Sequence, residues 1–123
     1  MIEATGKRVW VFPDLELPPP GDFDLKGHES LIILNTSDRT AHIDVTLYFD
    51  NRDPVKGIKM TVEPERVRCF RTNNPADMDG FVVPLETQYA MKVESDIEIV
   101  AQYGRLDTRQ TNMAFYTVMG FSK

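Results

Sequence analysis

Strict alternation of apolar and polar residues is the strongest pattern in this chain. It runs from Ala41 to Phe49, where every second side chain is apolar, and returns over Ile58–Glu63, Arg66–Arg71 and Gln88–Glu94. A period of two residues predicts β-strands with one buried face and one solvated face. Since no stretch of about ten residues shows the period of an amphipathic helix, the pattern predicts an all-β chain.

Two neighbouring segments are expected to form an antiparallel hairpin. Glu29–Leu34 is apolar on both faces and indicates a central strand, and the turn residues of Asn35–Thr40 connect it to Ala41–Phe49. Within the second strand, the odd-numbered apolar side chains should point into the core, whereas Asp44 and Thr46 should point to solvent.

The remaining strands are short and bounded by turn or proline residues. Arg8–Phe12 should end at Pro13, Ser95 and Asp96 should form a turn before the apolar run that follows, and Met113–Phe121 should close the fold. Pro18 to Pro20 predict an extended surface crossing. About eight such strands predict an antiparallel β-sandwich, jelly-roll-like in architecture.

Length and composition fit one ordinary globular domain. The chain has 123 residues, of which 41% are hydrophobic and 27% charged. This length suits a single core, so we expect one domain over residues 1–123. The sequence contains no apolar run of membrane-spanning length, and Met1–Phe12 lacks a signal-peptide core, which favours a cytoplasmic location.

Charge and motif content narrow the classes of function. The net charge of −5 argues against non-specific binding of nucleic acid, which needs a positively charged surface. The basic cluster of Arg66, Arg68 and Arg71 is most often a device that protects an edge strand. Cys69 is the single cysteine, and the two histidines lack spaced partners, so we expect no metal site and no cofactor. Because no nucleophile motif is present, we do not expect an enzyme.

A dense polar group follows the apolar run that begins at Ile97. Arg105, Asp107, Arg109 and Gln110 place two guanidiniums around one carboxylate and one amide. Such a set forms either a structural ion-pair network or a planar clamp for an anion or a partner. Ion-pair networks are commoner than binding sites, so the structural reading carries more weight.

Three further residues are candidates for ligand or partner binding. Trp10 is the only tryptophan, and serves either as a core or interface anchor or as a platform for a sugar. His28 and Glu29 precede the central strand. Because adjacent strand residues point to opposite faces, the two are not expected to act on one atom, and a structural hydrogen bond from His28 is favoured.

Several of these residues also carry a family resemblance, which is strongest at the polar group after the last long strand. The points of similarity are Trp10, His28 with Glu29, Asn35, Ala41 with His42, Thr46 to Phe49, Asp53 with Pro54, Ile99 with Val100, Gln102, and the motif Arg105, Leu106, Asp107, Arg109 and Gln110. On these residues the chain resembles the sensory rhodopsin transducer family.

The resemblance implies a cytoplasmic homotetramer of β-sandwiches with a non-enzymatic signalling role, which receives a conformational signal from a membrane photoreceptor. It also implies that relatives without a rhodopsin bind a sugar-like small molecule or DNA. We therefore carry two hypotheses. The first is a signalling module that relays the state of a partner through a homo-oligomer. The alternative is a carbohydrate-like small-molecule binding protein that uses Trp10, His28, Glu29 and the arginines.

Overall fold

The computed structural model describes residues 2–123, which form two packed antiparallel sheets. All strand pairs between named elements run antiparallel, so the predicted all-β sandwich is confirmed. The strands are β1 (Lys7–Glu16), β2 (His28–Asn35), β3 (Ala41–Phe49), β4 (Val55–Val62), β5 (Arg66–Arg71), β6 (Gln88–Asp107), β7 (Ala114–Val118) and β8 (Phe121–Ser122).

The long strand β6 belongs to both sheets. Its first half pairs with β1 and β3 in sheet I, whose order is β4-β3-β6-β1-β8. Its second half pairs with β2 and β7 in sheet II, where β5 lies beyond β2. The predicted turn at Ser95 and Asp96 is therefore wrong. Ser95 pairs with Ile43, and the Asp96 carboxylate accepts a hydrogen bond from the backbone N–H of His42 at 2.9 Å, and strand β6 runs through both residues without a turn.

The predicted hairpin between β2 and β3 is also wrong, because these strands lie in different sheets. Both are neighbours of β6, β2 along its second half and β3 along its first. The buried Asn35 side chain explains the crossover. Its amide donates to the carbonyls of Arg39 at 2.7 Å and Val62 at 3.1 Å, and its oxygen accepts from the backbone of Ser37 at 3.0 Å. These contacts hold the connection away from a tight turn.

The facing pattern of β3 is confirmed with one exception. Ile43, Val45 and Leu47 are buried in the core between the sheets, and Asp44 is half-buried. Thr46, predicted to face solvent, is 8% exposed. Because β3 lies between β4 and β6, the longer side chains of neighbouring strands, such as the cross-strand residue Lys92, can cover a short threonine.

Two strand boundaries also differ from the prediction. β1 does not end at Pro13 but continues to Glu16, with a register shift between Phe12 and Leu15. A bulge of this kind accommodates the missing proline donor. The predicted closing strand is divided. β7 pairs with β6 in sheet II, and β8 pairs with β1 in sheet I, so this last segment passes from one sheet to the other.

The loop between β5 and β6 closes one side of the sandwich. The carboxylate of Asp77 accepts a hydrogen bond from the backbone N–H of Arg71 on β5, and that of Asp79 accepts from the N–H of Lys59 on β4, each at 3.0 Å. Between them, the fully buried Met78 packs into the core. The loop therefore caps the outer edges of both sheets on this side.

Candidate functional site

A fully buried carboxylate lies at the junction of the two sheets. Glu29, on β2, is 0% exposed. Its Oε1 accepts hydrogen bonds from the Tyr89 hydroxyl at 2.7 Å and the Thr72 hydroxyl at 2.9 Å, and its Oε2 accepts one from the Tyr103 hydroxyl. Tyr89 and Tyr103 come from the two halves of β6, so a single side chain joins both sheets. We call these four residues the Glu29 cluster.

The surroundings of the Glu29 cluster keep its tyrosines protonated. Burial, followed by the negative charge of Glu29, raises the pKa of Tyr89 well above its ordinary value. The same two causes, in the same order, raise the pKa of Tyr103. A neutral hydroxyl is the form that donates to a carboxylate. Within residues 2–123, every deeply buried side-chain nitrogen or oxygen has a hydrogen-bond partner, so the cluster is a closed network.

The predicted polar group lies at the end of β6 and forms around Asp107. Arg109 donates from Nε to both carboxylate oxygens at 3.0 Å and also contacts Oδ2 through Nη2, and its backbone N–H donates to Oδ1 at 3.0 Å. On the other side, Nη2 of Arg105 lies 3.6 Å from Oδ2. The hydrogen bonds from the Arg109 side chain are the main reason that the pKa of Asp107 is lowered. We call these three residues the arginine knot.

The members of the arginine knot differ in exposure. The side chain of Arg105 is 17% exposed, whereas that of Arg109 is 41% exposed and also reaches Glu86, with Nη1 3.4 Å from the carboxylate. Gln110 does not join the knot, because its amide donates to the carbonyl of Asn112 at 2.9 Å. Arg109 is therefore the member most open to a partner or an anion.

The arginine knot and the Glu29 cluster are neighbours in sheet II. Glu29 and Arg105 face each other in register across β2 and β6, and Tyr103 precedes Arg105 on the same side of the strand. The structure therefore brings together Glu29, Arg105, Asp107 and Arg109, which the sequence had marked as separate candidates.

Trp10 and His28 make structural contacts. The Trp10 side chain lies in the core, 6% exposed, and its indole N–H donates to the carbonyls of Ile99 and Lys7 at 3.1 Å. Its ring therefore offers little surface for stacking against a sugar. The Nδ1 of His28 lies 2.9 Å from the carbonyl oxygen of Lys26, which is the local hydrogen bond expected for this histidine.

Sequence reasoning missed the donors of the Glu29 cluster: Thr72, Tyr89 and Tyr103. One feature of the sequence did indicate that Glu29 has hydrogen-bond donors. A carboxylate inside an apolar strand must find hydrogen-bond donors or remain in solvent, and Tyr89 lies on the apolar side of its alternating strand. The pattern could not name the donors, since pairing of distant strands brings them to Glu29.

The part of the chain that the structure describes has small surface cavities and no cluster of metal-binding side chains. One apolar cavity of about 180 Å³ has Thr72 in its wall together with Leu17 and Val83, so it lies beside the Glu29 cluster. Across residues 2–123, no group of three or more histidine, cysteine, aspartate or glutamate side chains is placed to hold a metal. The same residues include no helix long and apolar enough to cross a membrane.

Comparisons with known proteins agree with this architecture. A family model described as Anabaena sensory rhodopsin transducer matches residues 5–122. Among solved structures, Thermotoga maritima 1070 is 31% identical, with 97% of each chain covered and a TM-score of 0.85. The Anabaena sensory rhodopsin transducer is also 31% identical, with 88% of this chain and 95% of that chain covered and a TM-score of 0.75. No curated protein sequence matches the chain.

Proposed function

The chain belongs to the sensory rhodopsin transducer family, and from that membership we propose that it is a non-catalytic signalling module. In this proposal, it relays the state of a partner through a homo-oligomer in the cytoplasm. The observation that carries the proposal is the family match over nearly the whole chain, residues 5–122. A transducer needs a stable scaffold and contact surfaces rather than a reactive centre, and the described side chains fit that need.

The state of the candidate residues supports a non-catalytic role. The carboxylate of Glu29 is enclosed by three hydroxyl donors, and that of Asp107 is engaged by Arg109. A general base or nucleophile needs access to a substrate, which the fully buried Glu29 lacks. These groups support the fold rather than a reaction.

We assign the partner to the class of membrane photoreceptors, by analogy with the related transducer from Anabaena. Arg109, at the rim of sheet II, is our candidate contact, since its guanidinium is half-exposed and anchored on one side by Asp107. An anchored guanidinium presents its remaining donors with little loss of side-chain entropy. An acidic patch on the partner would suit it.

The test is a pull-down with the tagged full chain from detergent-solubilised membranes, with retained proteins identified by mass spectrometry. We expect a retinal-binding membrane protein to be enriched over a tag-only control, and Arg109→Gln to weaken its retention. Recovery of soluble proteins alone would contradict the proposed partner class.

Native mass spectrometry of the same preparation tests the oligomer and the alternative function together. We expect a homo-oligomer, with the tetramer implied by the family resemblance as the leading size, and no retained small molecule. A sugar-like ligand that co-purifies would favour the alternative binding function. That alternative has less support, because Trp10 is committed to the core.

A further inference from the structure

The last part of the chain exposes an uncharged apolar surface. Residues 111–122 contain no charged side chain, although 27% of the chain is charged. Several of its large side chains are exposed, including Phe115 at 68% and Phe121 at 67%. We call this segment the apolar strip; its other exposed large side chains are Met113, Tyr116, Val118 and Met119. Residues of β7 are exposed on both faces of the strand, and monomeric soluble proteins rarely leave so many large apolar side chains of one segment open to water.

Strand β7 within the apolar strip is an open sheet edge, whereas the edges on the opposite side are protected. On β5, Asp77 caps the N–H of Arg71. On β4, the carbonyl of Thr61 accepts a hydrogen bond from Nη1 of Arg68 at 3.0 Å. For β7, in the part of the chain that the structure describes, no side chain bonds to the backbone of Ala114–Val118. An unprotected apolar edge promotes association unless another surface covers it.

The apolar strip also borders a groove that a partner side chain could fill. The groove has a volume of about 310 Å³ and lies between the strip and β1, with Phe12, Leu15, Tyr116 and Val118 among its lining residues. Phe115 and Phe121 project from the same segment as exposed aromatic side chains. One chain therefore carries both an apolar groove and apolar side chains to insert into one.

Composition points to a second copy of the chain as the occupant. Surfaces that stay buried in permanent homo-oligomers are more apolar and poorer in charge than transient contacts, which resemble the rest of the protein surface. A transient partner would leave the strip exposed for much of the time, whereas another copy is always present. Because each chain carries a net charge of −5, two copies meet with least repulsion through an uncharged surface.

We propose that the apolar strip, with the open edge of β7, is the surface that one copy buries against a second copy. The inference rests on the homo-oligomer in the proposed function and adds its location. The half-exposed Arg109 precedes the strip by two residues, so the proposed contact with the signalling partner borders the assembly surface.

The test compares masses by light scattering for wild type, Phe115→Glu, Phe121→Glu and the matched control Tyr48→Glu. Tyr48 is an exposed aromatic residue on the polar outer face of sheet I. We expect each variant in the strip to lower the assembly mass by about twofold or more, while Tyr48→Glu keeps the wild-type mass. Circular dichroism verifies that each variant is folded.

Hydrogen exchange on the wild type provides a second measurement that needs no substitution. If β7 is buried between copies, its amides should exchange slowly at high protein concentration and faster on dilution. The apolar strip would not be the contact between copies if its folded variants keep the wild-type mass, or if the β7 amides exchange rapidly in the oligomer. Either result would leave the homo-oligomer itself unaffected. A monomeric wild type would overturn both the location and the homo-oligomer of the proposed function.

Discussion

Tyr89 and Tyr103 lie near opposite ends of β6, yet both hydroxyls donate to the same buried carboxylate. Because the two halves of β6 belong to different sheets, this shared acceptor fixes how the strand passes from one sheet to the other. Thr72 adds a third donor from the segment after β5.

The first prediction concerns the substitution Glu29→Gln. The glutamine side chain has the same shape as glutamate, but an NH₂ group replaces one of the two carboxylate oxygens. That NH₂ group cannot accept the hydrogen bond that a hydroxyl of Thr72, Tyr89 or Tyr103 donates at this position, so at least one hydroxyl loses its acceptor. We expect the free energy of unfolding to fall by about 2–4 kcal/mol. Urea unfolding measured with a tryptophan fluorescence signal reports the change.

Glu98→Gln is the matched control for this substitution. The carboxylate of Glu98 lies 3.6 Å from the Arg8 guanidinium with both side chains well exposed, so we expect a change within about 0.5 kcal/mol. Equal losses for both variants would show that the Glu29 cluster contributes no more to stability than a surface ion pair.

The second prediction is a loss of stability in alkaline solution. Burial and Glu29 raise the pKa of Tyr89, and the same causes raise that of Tyr103. In the unfolded chain, tyrosine ionises near pH 10. Because the pKa is raised in the folded state, the contribution of these two tyrosines to the free energy of unfolding is fully present below about pH 10 and is lost as the pH rises further. Urea unfolding between about pH 8 and pH 11 tests this.

Tyr89→Phe provides the comparison for the alkaline prediction. Because one of the two buried phenols is removed, we expect stability to decline less steeply above about pH 10 than in the wild type. A slope identical to that of the wild type would mean that Tyr89 does not contribute to alkaline unfolding.

The sequence predicted local faces better than strand partners. In β3, Ile43, Val45 and Leu47 were assigned to the core correctly, because alternation follows from the geometry of a single strand. The partner of β3 was wrong. Turn residues between two strands favour a hairpin, but the buried amide of Asn35 organises a crossover between sheets instead, and no local pattern encodes those distant contacts.

In the candidate site, too, the sequence predicted the contacts between neighbouring residues but not those between distant strands. Asp107 was predicted between Arg105 and Arg109, and short sequence spacing was enough to find that contact. The donors to Glu29 could not be found in this way, because Tyr89 and Tyr103 reach it only after both sheets have formed. Met113–Phe121, which makes up most of the apolar strip, was predicted as one closing strand, and its division into β7 and β8 became evident only from the fold.

The third prediction compares two neighbouring positions on β3. Val45 is fully buried, so Val45→Asp places an unpaired charge in the core and should unfold the protein, because the penalty amounts to several kcal/mol or more. Asp44 lies on the outer face and pairs with the exposed Lys59, so Asp44→Val should change stability by less than about 1 kcal/mol. Thermal melts monitored by circular dichroism separate the two cases, and a reversed order would contradict the assigned faces.

The fourth prediction concerns stability in acid. The hydrogen bonds from Arg109 lower the pKa of Asp107 below its ordinary value. The contribution of Asp107 is therefore present above the unfolded pKa, near pH 4, and is lost as the pH falls through the folded pKa. We expect Asp107→Asn to lose less stability than the wild type between about pH 4 and pH 2. Parallel acid-induced loss in both proteins would contradict this assignment.

The last prediction asks whether the arginine knot supports the fold. Asp107 is 8% exposed, and its carboxylate separates two guanidiniums, of which that of Arg105 is largely buried. Asp107→Ala removes their shared counter-ion, so we expect stability to fall by about 2 kcal/mol, between the values for exposed and buried pairs. Lys59→Ala removes only an exposed partner of Asp44 and should leave the melting temperature nearly unchanged. Asp107 pairs with Ala114 at the start of β7, so folded Asp107→Ala should also have a lower assembly mass in size-exclusion chromatography. Unchanged melting of Asp107→Ala would show that the knot is not structural, and its arginines would then become the leading residues for partner binding.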